Sequence, residues 1–465
     1  MERITLLHTN DLHSHFENWP RIRRYLLATK EHDLAAGNAV YTFDLGDNVD
    51  RAHPVTEATL GQRNVTLMNQ IGYDAVTIGN NEGLTLNHKQ LNQLYDYANF
   101  PVVLGNLLTA DTQERPDWAQ DHRLLVTPAG TRVLVLGLTA PYQLTYPLLG
   151  WAVVQADRAL TQLLARYAGQ YDLCVLLSHL GINVDRQLAK RFPQLTVIIG
   201  SHTHHLLVHG EQQGQSLLAA AGKFGRYVGR IELEVGSDHR LLKGTAGVVT
   251  TADLPVLPAD MAEIANLEQM GHDILAEQRV AKIPATMEAD PFGHPRIVQE
   301  GLHAIAEYAG TQAAMLNSGL FLHDLPRGVV TQDQLHTILP HSMHVMRVTL
   351  NGYDLWRLIQ EAEQARLFLR HFPQRGMGFR GKVFGELNYL GIAYDPQTHQ
   401  VTWRGEPVSP IRQYTLAVVD HYLFVPFFPT ISIVGKNELF YHDLLREVFA
   451  QYLGRHYPLN TDRKG

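Results

Sequence analysis

The sequence predicts an α/β protein with two domains. In the first half of the chain, short apolar strands alternate with helical patterns, and turns rich in Gly, Asn and Asp separate them. This alternation is typical of a parallel sheet with helices packed on its faces. A stretch with two prolines at residues 252–260 interrupts the pattern, and a second mixture of helices and strands follows it. At 465 residues the chain is long enough for two or three domains of about 150 residues each.

The first domain, residues 1–252, contains apolar runs that indicate strands, and the late ones predict a second sheet. The candidate strands are residues 4–8, 39–44, 75–78, 102–104, 132–138, 173–177, 196–199, 216–219 and 230–234. The helical patterns between them are residues 19–30, 64–70, 86–98 and 156–168.

A linker at residues 253–284 precedes the second domain, residues 285–465. A helix-like stretch at residues 260–282 follows the prolines of the linker, and we expect it to act as a hinge. The second domain combines helices with strands and is predicted to be α/β as well. Its helical patterns are residues 296–308, 352–370 and 439–453, and its candidate strands are residues 346–350, 390–393 and 414–419.

The composition excludes several classes of protein. A formal net charge of −7 argues against a sequence-independent nucleic-acid binder, which would carry a basic balance. The single cysteine, Cys174, excludes a disulfide framework and lies in an apolar run, which predicts a buried thiol. No apolar stretch approaches the ~18 residues that span a membrane, and Met1-Glu2-Arg3 leads directly into the first strand. We therefore expect a cytoplasmic protein without a membrane or nucleic-acid partner, and its oligomeric state is open.

The first candidate site residues follow the first strand, where Asn10-Asp11-Leu12-His13 ends an apolar run. Ligands of open α/β sheets bind beyond the carboxyl ends of the strands. On a strand, Asp11 and His13 would point the same way, as two ligands of one ion must. Asp-x-His recurs by chance, so this stretch alone is a weak signal.

Five stretches in the first domain share one design, in which metal-ligand side chains follow an apolar strand. They are Asn10-Asp11-Leu12-His13, Gly46-Asp47-Asn48-Val49-Asp50, Gly79-Asn80-Asn81-Glu82, Ser178-His179 and Gly200-Ser201-His202-Thr203-His204. Individually each has an ordinary structural interpretation, such as a capping carboxylate at Asp11 or a core histidine at His179. Together, their oxygen and nitrogen donors suit Mn²⁺, Fe²⁺ or Zn²⁺ better than Ca²⁺, and the lack of cysteine disfavours a structural zinc site.

The order of these stretches resembles that of the calcineurin-like metallophosphoesterase superfamily. The Thr9-Asn10-Asp11 opening and the second domain are similar to the 5′-nucleotidase family, most of all to its YunD-type bacterial branch. The resemblance implies an N-terminal αββα sandwich and a C-terminal α/β domain that binds the substrate. It also implies a hydrolase that uses a metal-activated hydroxide on a small phosphorylated substrate, a nucleotide or a nucleotide sugar.

The resemblance further implies a centre with two divalent metal ions, Mn, Zn or Fe. It assigns Asp11, His13 and His204 to one ion, Asn80, His179 and His202 to the other, and Asp47 to both.

The third stretch departs from the family because Asn81 stands where the family has a catalytic histidine. That histidine pairs with the aspartate of the first stretch, here Asp11, and helps to stabilise or protonate the reacting phosphate oxygens. An amide donates a hydrogen bond but transfers no proton near neutral pH, and losing a general acid costs about 10²–10⁴-fold in rate. Either His15 or His205 compensates, or the leaving group needs little protonation, as at a pyrophosphate bond, or the enzyme is slow. Asp11, Asn81 and His15 are the catalytic candidates.

The second domain departs from the family as well. Asn317-Ser318-Gly319 stands in a family segment that normally bears an arginine, and the arginine is missing here. Asn388 corresponds to an asparagine that contacts the base. Arg51, next to the second stretch, and Arg380, in the glycine-rich basic loop at residues 375–382, are candidate phosphate contacts because arginine suits bidentate phosphate recognition. A solvated loop is an equally good interpretation of residues 375–382.

Two alternatives to a nucleotidase remain open from the sequence. Asn81 favours a phosphodiesterase or pyrophosphatase, whose leaving group needs less protonation. The missing histidine and arginine instead suit a metal-dependent nucleotide-binding protein with weakened activity.

Overall fold

The computed structural model describes residues 1–376 and 378–459, in two compact units, Met1–Gly271 and His272–Gly465. Met377 of the basic loop and the last six residues of the predicted second domain lie outside the described residues. The predicted boundaries at residues 252 and 285 stay predictions.

The first unit contains strands β1 to β15 and helices α1 to α7. The strands are β1 (Glu2–Thr9), β2 (Ala39–Asp44), β3 (Ala75–Val76), β4 (Val102–Val103), β5 (Leu107–Thr109), β6 (Ala119–Gln120), β7 (Arg123–Val126), β8 (Arg132–Thr139), β9 (Trp151–Val153), β10 (Leu173–His179), β11 (Val197–Gly200), β12 (Glu211–Gln213), β13 (Ser216–Ala219), β14 (Tyr227–Val235) and β15 (Leu241–Thr250). The helices are α1 (Trp19–Ala35), α2 (Pro54–Thr59), α3 (Gln62–Met68), α4 (Asn80–Thr85), α5 (His88–Leu94), α6 (Ala156–Arg166) and α7 (Ile182–Arg191). Helix α8 (Pro258–Glu277) runs across the boundary between the units.

Two sheets form the centre of the first unit. The larger has the strand order β15-β14-β1-β2-β3-β4-β6, and the other has the order β12-β13-β11-β10-β8-β7. One continuous apolar cluster contains side chains from both sheets, among them Leu6 and Phe43 from the first and Val175 and Ile199 from the second. The two sheets therefore pack face to face around a shared core.

Helices cover the outer faces of this sandwich. On the second sheet, Leu160 and Leu163 of α6 and Leu188 of α7 pack with Leu176 of β10, in a cluster that also holds the buried, free Cys174. Helix α1 contacts β2 of the first sheet and buries Ile22 and Leu26. Layers of helix, sheet, sheet and helix confirm the predicted αββα sandwich. Within the described residues, no helix combines the length and apolar character needed to cross a bilayer.

The parallel strands place the candidate site at one edge of the sandwich. Strand β1 runs parallel to β2 and β2 parallel to β3, while β10 runs parallel to both β8 and β11. The carboxyl ends of parallel strands lie at the same edge of a sheet, so the loops that follow β1 and β2, and those that follow β10 and β11, are neighbours.

The second unit contains strands that form several sheets. The strands of this unit are β16 (Arg279–Ile283), β17 (Ala314–Asn317), β18 (Gly328–Thr331), β19 (His344–Asn351), β20 (Leu387–Leu390), β21 (Ile392–Tyr394), β22 (Val401–Trp403), β23 (Glu406–Pro407), β24 (Gln413–Val419) and β25 (Lys436–Leu444). Its central sheet has five strands in the order β20-β17-β24-β19-β25. The helices of the second unit are α9 (Arg296–Ala309), α10 (Gln332–Ile338), α11 (Gly352–His371), α12 (His421–Phe424), α13 (Pro429–Val434) and α14 (Leu445–His456). A single apolar cluster joins the sheet to α9, α11 and α14, which confirms the predicted α/β character.

Some predicted element bounds differ from the structure. The helix predicted at residues 439–453 is strand β25 followed by α14, because the side chain of Glu447 accepts the Leu444 N–H at 2.6 Å and starts the helix there. The stretch at residues 260–282 likewise divides into α8 and β16. Gly391, at φ +70°, interrupts the strand predicted at residues 390–393, so that β20 and β21 join different sheets.

Candidate metal centre

The loops at the carboxyl ends of β1, β2, β10 and β11 bring carboxylate and imidazole groups together. Two groups of side chains have ligand atoms within 4.8 Å of one another, and they share one aspartate. The first group is Asp11, His13 and His204, and the second is Asp11, Asp47 and His179. Five of the seven predicted metal ligands therefore lie in one cluster.

The spacing of these atoms fits divalent ions. One oxygen of Asp47, Oδ2, lies 3.5 Å from Nε2 of His179 and 3.6 Å from Nε2 of His13. Oδ1 of Asp11 lies 3.6 Å from Nε2 of His204. Two atoms that each lie about 2.1 Å from one ion in tetrahedral geometry are about 3.4 Å apart. Carboxylate oxygens and imidazole nitrogens are also donors that divalent metal ions accept, so the residues present fit a divalent metal site.

The ring of His179 is oriented by a hydrogen bond at Nδ1, the nitrogen that faces away from Asp47. Nδ1 of His179 donates to the carbonyl oxygen of Leu45 at 2.7 Å, and its Nε2 faces Oδ2 of Asp47. Nδ1 of His13 lies 3.7 Å from Oδ2 of Asp50, which is an ion-pair distance and too long for a hydrogen bond. A hydrogen bond at the far nitrogen fixes the tautomer of a ligating imidazole.

The buried carboxylate of Asp11 is held by donors from three sides. Its Oδ2 accepts the Ser201 hydroxyl at 2.6 Å and the Asn10 side-chain amide at 2.8 Å, and its Oδ1 accepts the His202 N–H at 3.1 Å. The loops after β1 and β11 are thereby tied to each other through one side chain.

Glu82 ties together the loops that follow β2 and β3. This buried carboxylate accepts the N–H groups of Asp47 at 3.0 Å, Gly79 at 2.9 Å and Val49 at 2.9 Å. In addition, Oδ1 of Asp47 accepts the Asn81 N–H at 2.7 Å. Glu82 belongs to the third stretch, but the sequence pattern assigns it no role. Its position at the N-terminus of α4 and its burial identify it as a support for Asp47.

Left-handed backbone is concentrated at this site. Five of the predicted ligands are non-glycine residues with positive φ: Asp11 at 49°, His13 at 50°, Asp47 at 49°, His202 at 74° and His204 at 57°. Such conformations cost about 1–3 kcal/mol each and persist only where the surroundings hold them. Their concentration here is typical of a functional site.

The carboxylates stabilise positive charge among the imidazoles. Burial alone would lower the pKa of His179, but the adjacent Asp47 outweighs it and raises this pKa to about 10. Burial disfavours the charged form of Asp47, yet His179 and His13 hold the pKa of Asp47 below its usual range. The negative charge of the buried carboxylates that favours a protonated imidazole would also favour a metal cation.

The other two predicted ligands border the cluster. Oδ1 of Asn80 lies 3.3 Å from Nε2 of His179. The ring of His202 is 5.2 Å from that of His179, centroid to centroid, and its Nε2 lies 3.4 Å from the Tyr142 hydroxyl. Tyr142 is not predicted from the sequence, because it belongs to a loop after β8 without a ligand pattern of its own.

The catalytic candidates Asn81 and His15 occupy different surroundings. The Nδ2 group of Asn81 lies 3.0 Å from Nδ1 of His13 and donates to the Val49 carbonyl at 3.0 Å, so its amide supports the first stretch. His15 is half-buried, and its Nδ1 lies 2.9 Å from a carboxylate oxygen of Glu17. A direct role of either residue in catalysis stays a prediction.

Arg51 is buried and holds other protein groups. Its guanidinium donates to both carboxylate oxygens of Glu57, at 2.7 and 3.1 Å, and to the Thr85 carbonyl at 2.9 Å. Its predicted role as a phosphate contact therefore stays a prediction.

In the second unit, Asn317 and Asn388 lie on the paired strands β17 and β20, Gly319 lies just after β17, and all three are buried. Oδ1 of Asn317 accepts the Tyr422 hydroxyl at 2.8 Å, and the Gly319 N–H donates to the Phe384 carbonyl at 3.1 Å. Oδ1 of Asn388 lies 2.7 Å from Nδ1 of His294. Arg380 is exposed, while its backbone N–H donates to Nδ1 of His341 at 2.9 Å. Their contacts with a substrate also stay predictions.

A further loop reaches the cluster from the end of β13. In this Phe224 loop, residues 221–226, the ring of Phe224 lies 5.7 Å from that of His13 and 6.5 Å from that of His204. This loop is not among the predicted site residues. Its sequence, Gly222-Lys223-Phe224-Gly225-Arg226, contains two basic residues and two glycines, a pattern that could have indicated a loop at a phosphate site.

Comparison with known proteins agrees with this geometry. Residues 4–206 match the calcineurin-like phosphoesterase family, and residues 291–424 match the C-terminal domain of 5′-nucleotidases. The chain is 36% identical over 463 residues to the uncharacterized metallophosphoesterase YunD of Bacillus subtilis strain 168, covering 98% of this chain and 100% of YunD. It is 25% identical over 417 residues to the trifunctional nucleotide phosphoesterase protein YfkN of the same organism, covering 77% of this chain and 27% of YfkN.

Solved structures include similar folds. The 5′-nucleotidase precursor of Thermus thermophilus gives a TM-score of 0.58 at 21% sequence identity, and the match covers 98% of this chain and 97% of that one. This likeness supports the two-part α/β architecture.

Proposed function

The chain belongs to the calcineurin-like metallophosphoesterases that carry a 5′-nucleotidase-type C-terminal domain, and on this basis we propose that it hydrolyses phosphate esters of nucleotides or nucleotide sugars. The observation that carries the proposal is the position of Asp47 Oδ2 between the Nε2 atoms of His13 and His179, with Asp11 beside it. This is the arrangement that a bridging carboxylate between two ions requires. YfkN, named as a nucleotide phosphoesterase, supports the substrate class.

The protein groups have distinct roles in this proposal. Asp11, His13 and His204 would hold one divalent ion, Asn80, His179 and His202 would hold the other, and Asp47 would be shared by both. When bound, two such ions lower the pKa of water and neutralise the oxygens of the phosphate in an in-line displacement. Glu82 keeps Asp47 in place, and the Leu45 carbonyl keeps Nε2 of His179 directed into the centre.

A second candidate function, hydrolysis of diesters or pyrophosphates, is favoured by Asn81. Its amide is engaged by His13 and Val49, and it has no proton to transfer near neutral pH. A leaving group that needs little protonation reduces that disadvantage. Comparing turnover of bis(p-nitrophenyl) phosphate with that of p-nitrophenyl phosphate distinguishes a diesterase from a monoesterase.

The proposal also covers the identity of the metal ions and the cellular location. The donor set is compatible with Mn, Zn or Fe, and we propose Mn²⁺ as the first ion to test. A cytoplasmic location and a small-molecule substrate also belong to the proposal.

Phosphate release by metal-stripped protein resupplied with Mn²⁺ tests the function. The substrates are nucleoside mono-, di- and triphosphates, nucleotide sugars and cyclic nucleotides. We expect turnover of one class that is lost in Asp47→Asn and kept in Asp238→Asn, an exposed carboxylate beside Arg240 in the same unit. Full activity in Asp47→Asn would refute the metal mechanism. Binding of two ions without turnover of any nucleotide would instead support a binding protein with weakened activity.

A further inference from the structure

The Phe224 loop is held firmly against the predicted metal ligands. The Phe224 N–H donates to the Asp11 carbonyl at 2.8 Å, and the Asn10 side chain donates to the Gly222 carbonyl at 2.7 Å and accepts the Ala221 N–H at 3.1 Å. Phe224 itself has φ +63°, a conformation that a bulky residue adopts only where its surroundings enforce it. The structure therefore maintains a strained aromatic residue beside the centre.

Two cationic side chains lie against the Phe224 ring. Nζ of Lys223 is 4.5 Å from the ring centroid, and Cζ of Arg226 is 5.7 Å from it. Across residues 1–376 and 378–459, no carboxylate oxygen lies within 4 Å of either charged group. By contrast, Arg186 in the same unit forms a bidentate pair with Glu211. The ring attracts the two cations through its π face and leaves their N–H donors available.

The position of these cations suggests which negative charge they meet. The Phe224 ring contacts the rings of His13, His15 and His204, so the cations lie on the side of the centre that is assigned to the first ion. In a two-metal site the ions themselves neutralise the phosphate that reacts. Lys223 and Arg226 lie next to that site with N–H donors available. They are suited to a second phosphate of the same substrate, which is joined to the reacting phosphate through one bridging oxygen.

We propose that Lys223 and Arg226 bind the phosphate adjacent to the reacting one, and so select substrates with two linked phosphates, such as nucleoside diphosphates or nucleotide sugars. This inference rests on the proposed phosphohydrolase function. It assigns substrate specificity to these two residues, and the roles proposed for the metal ligands do not change.

The test compares matched substrates and a non-hydrolysable probe. The proteins are the Mn²⁺-loaded wild type, Lys223→Met, Arg226→Met and the control Arg240→Met, an exposed cation of the same unit beside Asp238. The measurements are kcat/KM for AMP and ADP, and calorimetric binding of adenosine 5′-(α,β-methylene)diphosphate. We expect each loop variant to lose about tenfold in kcat/KM for ADP and in affinity for the probe, with less than about threefold loss for AMP. Arg240→Met should match the wild type.

The outcomes separate this inference from the proposed function. Equal losses for AMP and ADP, or no loss in either loop variant, would overturn the assignment while leaving the phosphohydrolase intact. If the wild type hydrolyses neither nucleotide, the proposed function fails for these substrates, and the probe still decides the role of the cations. Tenfold weaker probe binding in both loop variants would then support it, and unchanged binding would refute it.

Discussion

At the scale of single residues, the candidate site depends on side chains that hold the predicted ligands as much as on the ligands themselves. Asp47 is oriented through its own N–H, which Glu82 accepts, and through Oδ1, which accepts the Asn81 N–H. Asp11 is oriented by Asn10 and Ser201. Groups that orient metal ligands commonly change metal affinity about 10–100-fold when they are removed.

Substitution Glu82→Gln should weaken metal binding while the fold is retained. The amide replaces one acceptor oxygen by an NH₂ group, which then faces a backbone N–H of Asp47, Gly79 or Val49. We expect Mn²⁺ affinity, measured by calorimetry, to fall about 10–100-fold. Glu211→Gln, on the surface of the same unit, is the control. Unchanged affinity in Glu82→Gln would show that Asp47 is positioned by other contacts.

At the scale of secondary structure elements, the site requires two loops to cross at very short distance. A Cβ atom at Gly79 would lie 2.1 Å from Oδ1 of Asp47 and 2.5 Å from Cε1 of His179, and one at Gly46 would lie 2.2 Å from the Gly79 nitrogen. Glycine at these positions therefore permits the loops after β2 and β3 to approach one another and the end of β10.

Substitution Gly79→Ala should displace Asp47 and His179 without unfolding the protein. Its φ of −99° is open to alanine, so the effect arises from the steric overlap alone, which typically costs about 1–3 kcal/mol. We expect Mn²⁺ binding and phosphate release to be lost while the far-UV circular dichroism is unchanged. In Gly247→Ala the nearest atom is 3.8 Å away, and both properties should be retained. Normal metal binding in Gly79→Ala would contradict the described loop crossing.

Strand β1 also carries a buried histidine that makes stability depend on pH. Burial lowers the pKa of His8 from 6.5 to about 4. Between pH 6.5 and about 4, His8 is therefore protonated more readily in the unfolded chain than in the folded protein. Stability is therefore complete above pH 6.5 and decreases as the pH falls towards 4, by about 3 kcal/mol from this residue. In urea titrations with a chelator present, the wild type should lose about 3 kcal/mol more than His8→Leu between neutral pH and about pH 4. Equal losses would show that His8 is protonated without cost in the folded state.

The sequence predicts the elements with continuous apolar runs and misses those that depend on distant contacts. Strand β2 was predicted at residues 39–44 as observed, because its residues are almost all buried. Strand β15 was missed because its residues are mostly half-exposed and include Gly244 and Gly247, which weaken a strand pattern. The ligand stretches could be identified because each follows a strand. The Phe224 loop could not, because its importance arises from contacts with Asp11 and Asn10 at the opposite end of the unit's sequence.

At the scale of the whole molecule, each unit has an apolar core of its own. The clusters around β1, β10 and the helices α6 and α7 belong to the first unit, and the cluster around β17, β24 and α14 belongs to the second. All seven predicted metal ligands lie in the first unit. Metal binding should therefore stabilise one unit selectively.

Differential scanning calorimetry of metal-free protein should show two transitions, of which Mn²⁺ raises only one. At a free concentration of about 100 times Kd, a bound ion adds about 2.7 kcal/mol to the stability of the unit that binds it. Asp47→Asn should abolish the shift. A shift of both transitions, or a shift that persists in Asp47→Asn, would show that the metal stabilises the chain elsewhere.

The most direct test of a two-metal centre around Asp47 is anomalous X-ray scattering from crystals grown with Mn²⁺. We expect two peaks about 3.5–4 Å apart, one on each side of Asp47, with Asp11, His13 and His204 around one and Asn80, His179 and His202 around the other. A single peak, or peaks away from Asp47, would contradict a dinuclear centre at the ends of β1, β2, β10 and β11.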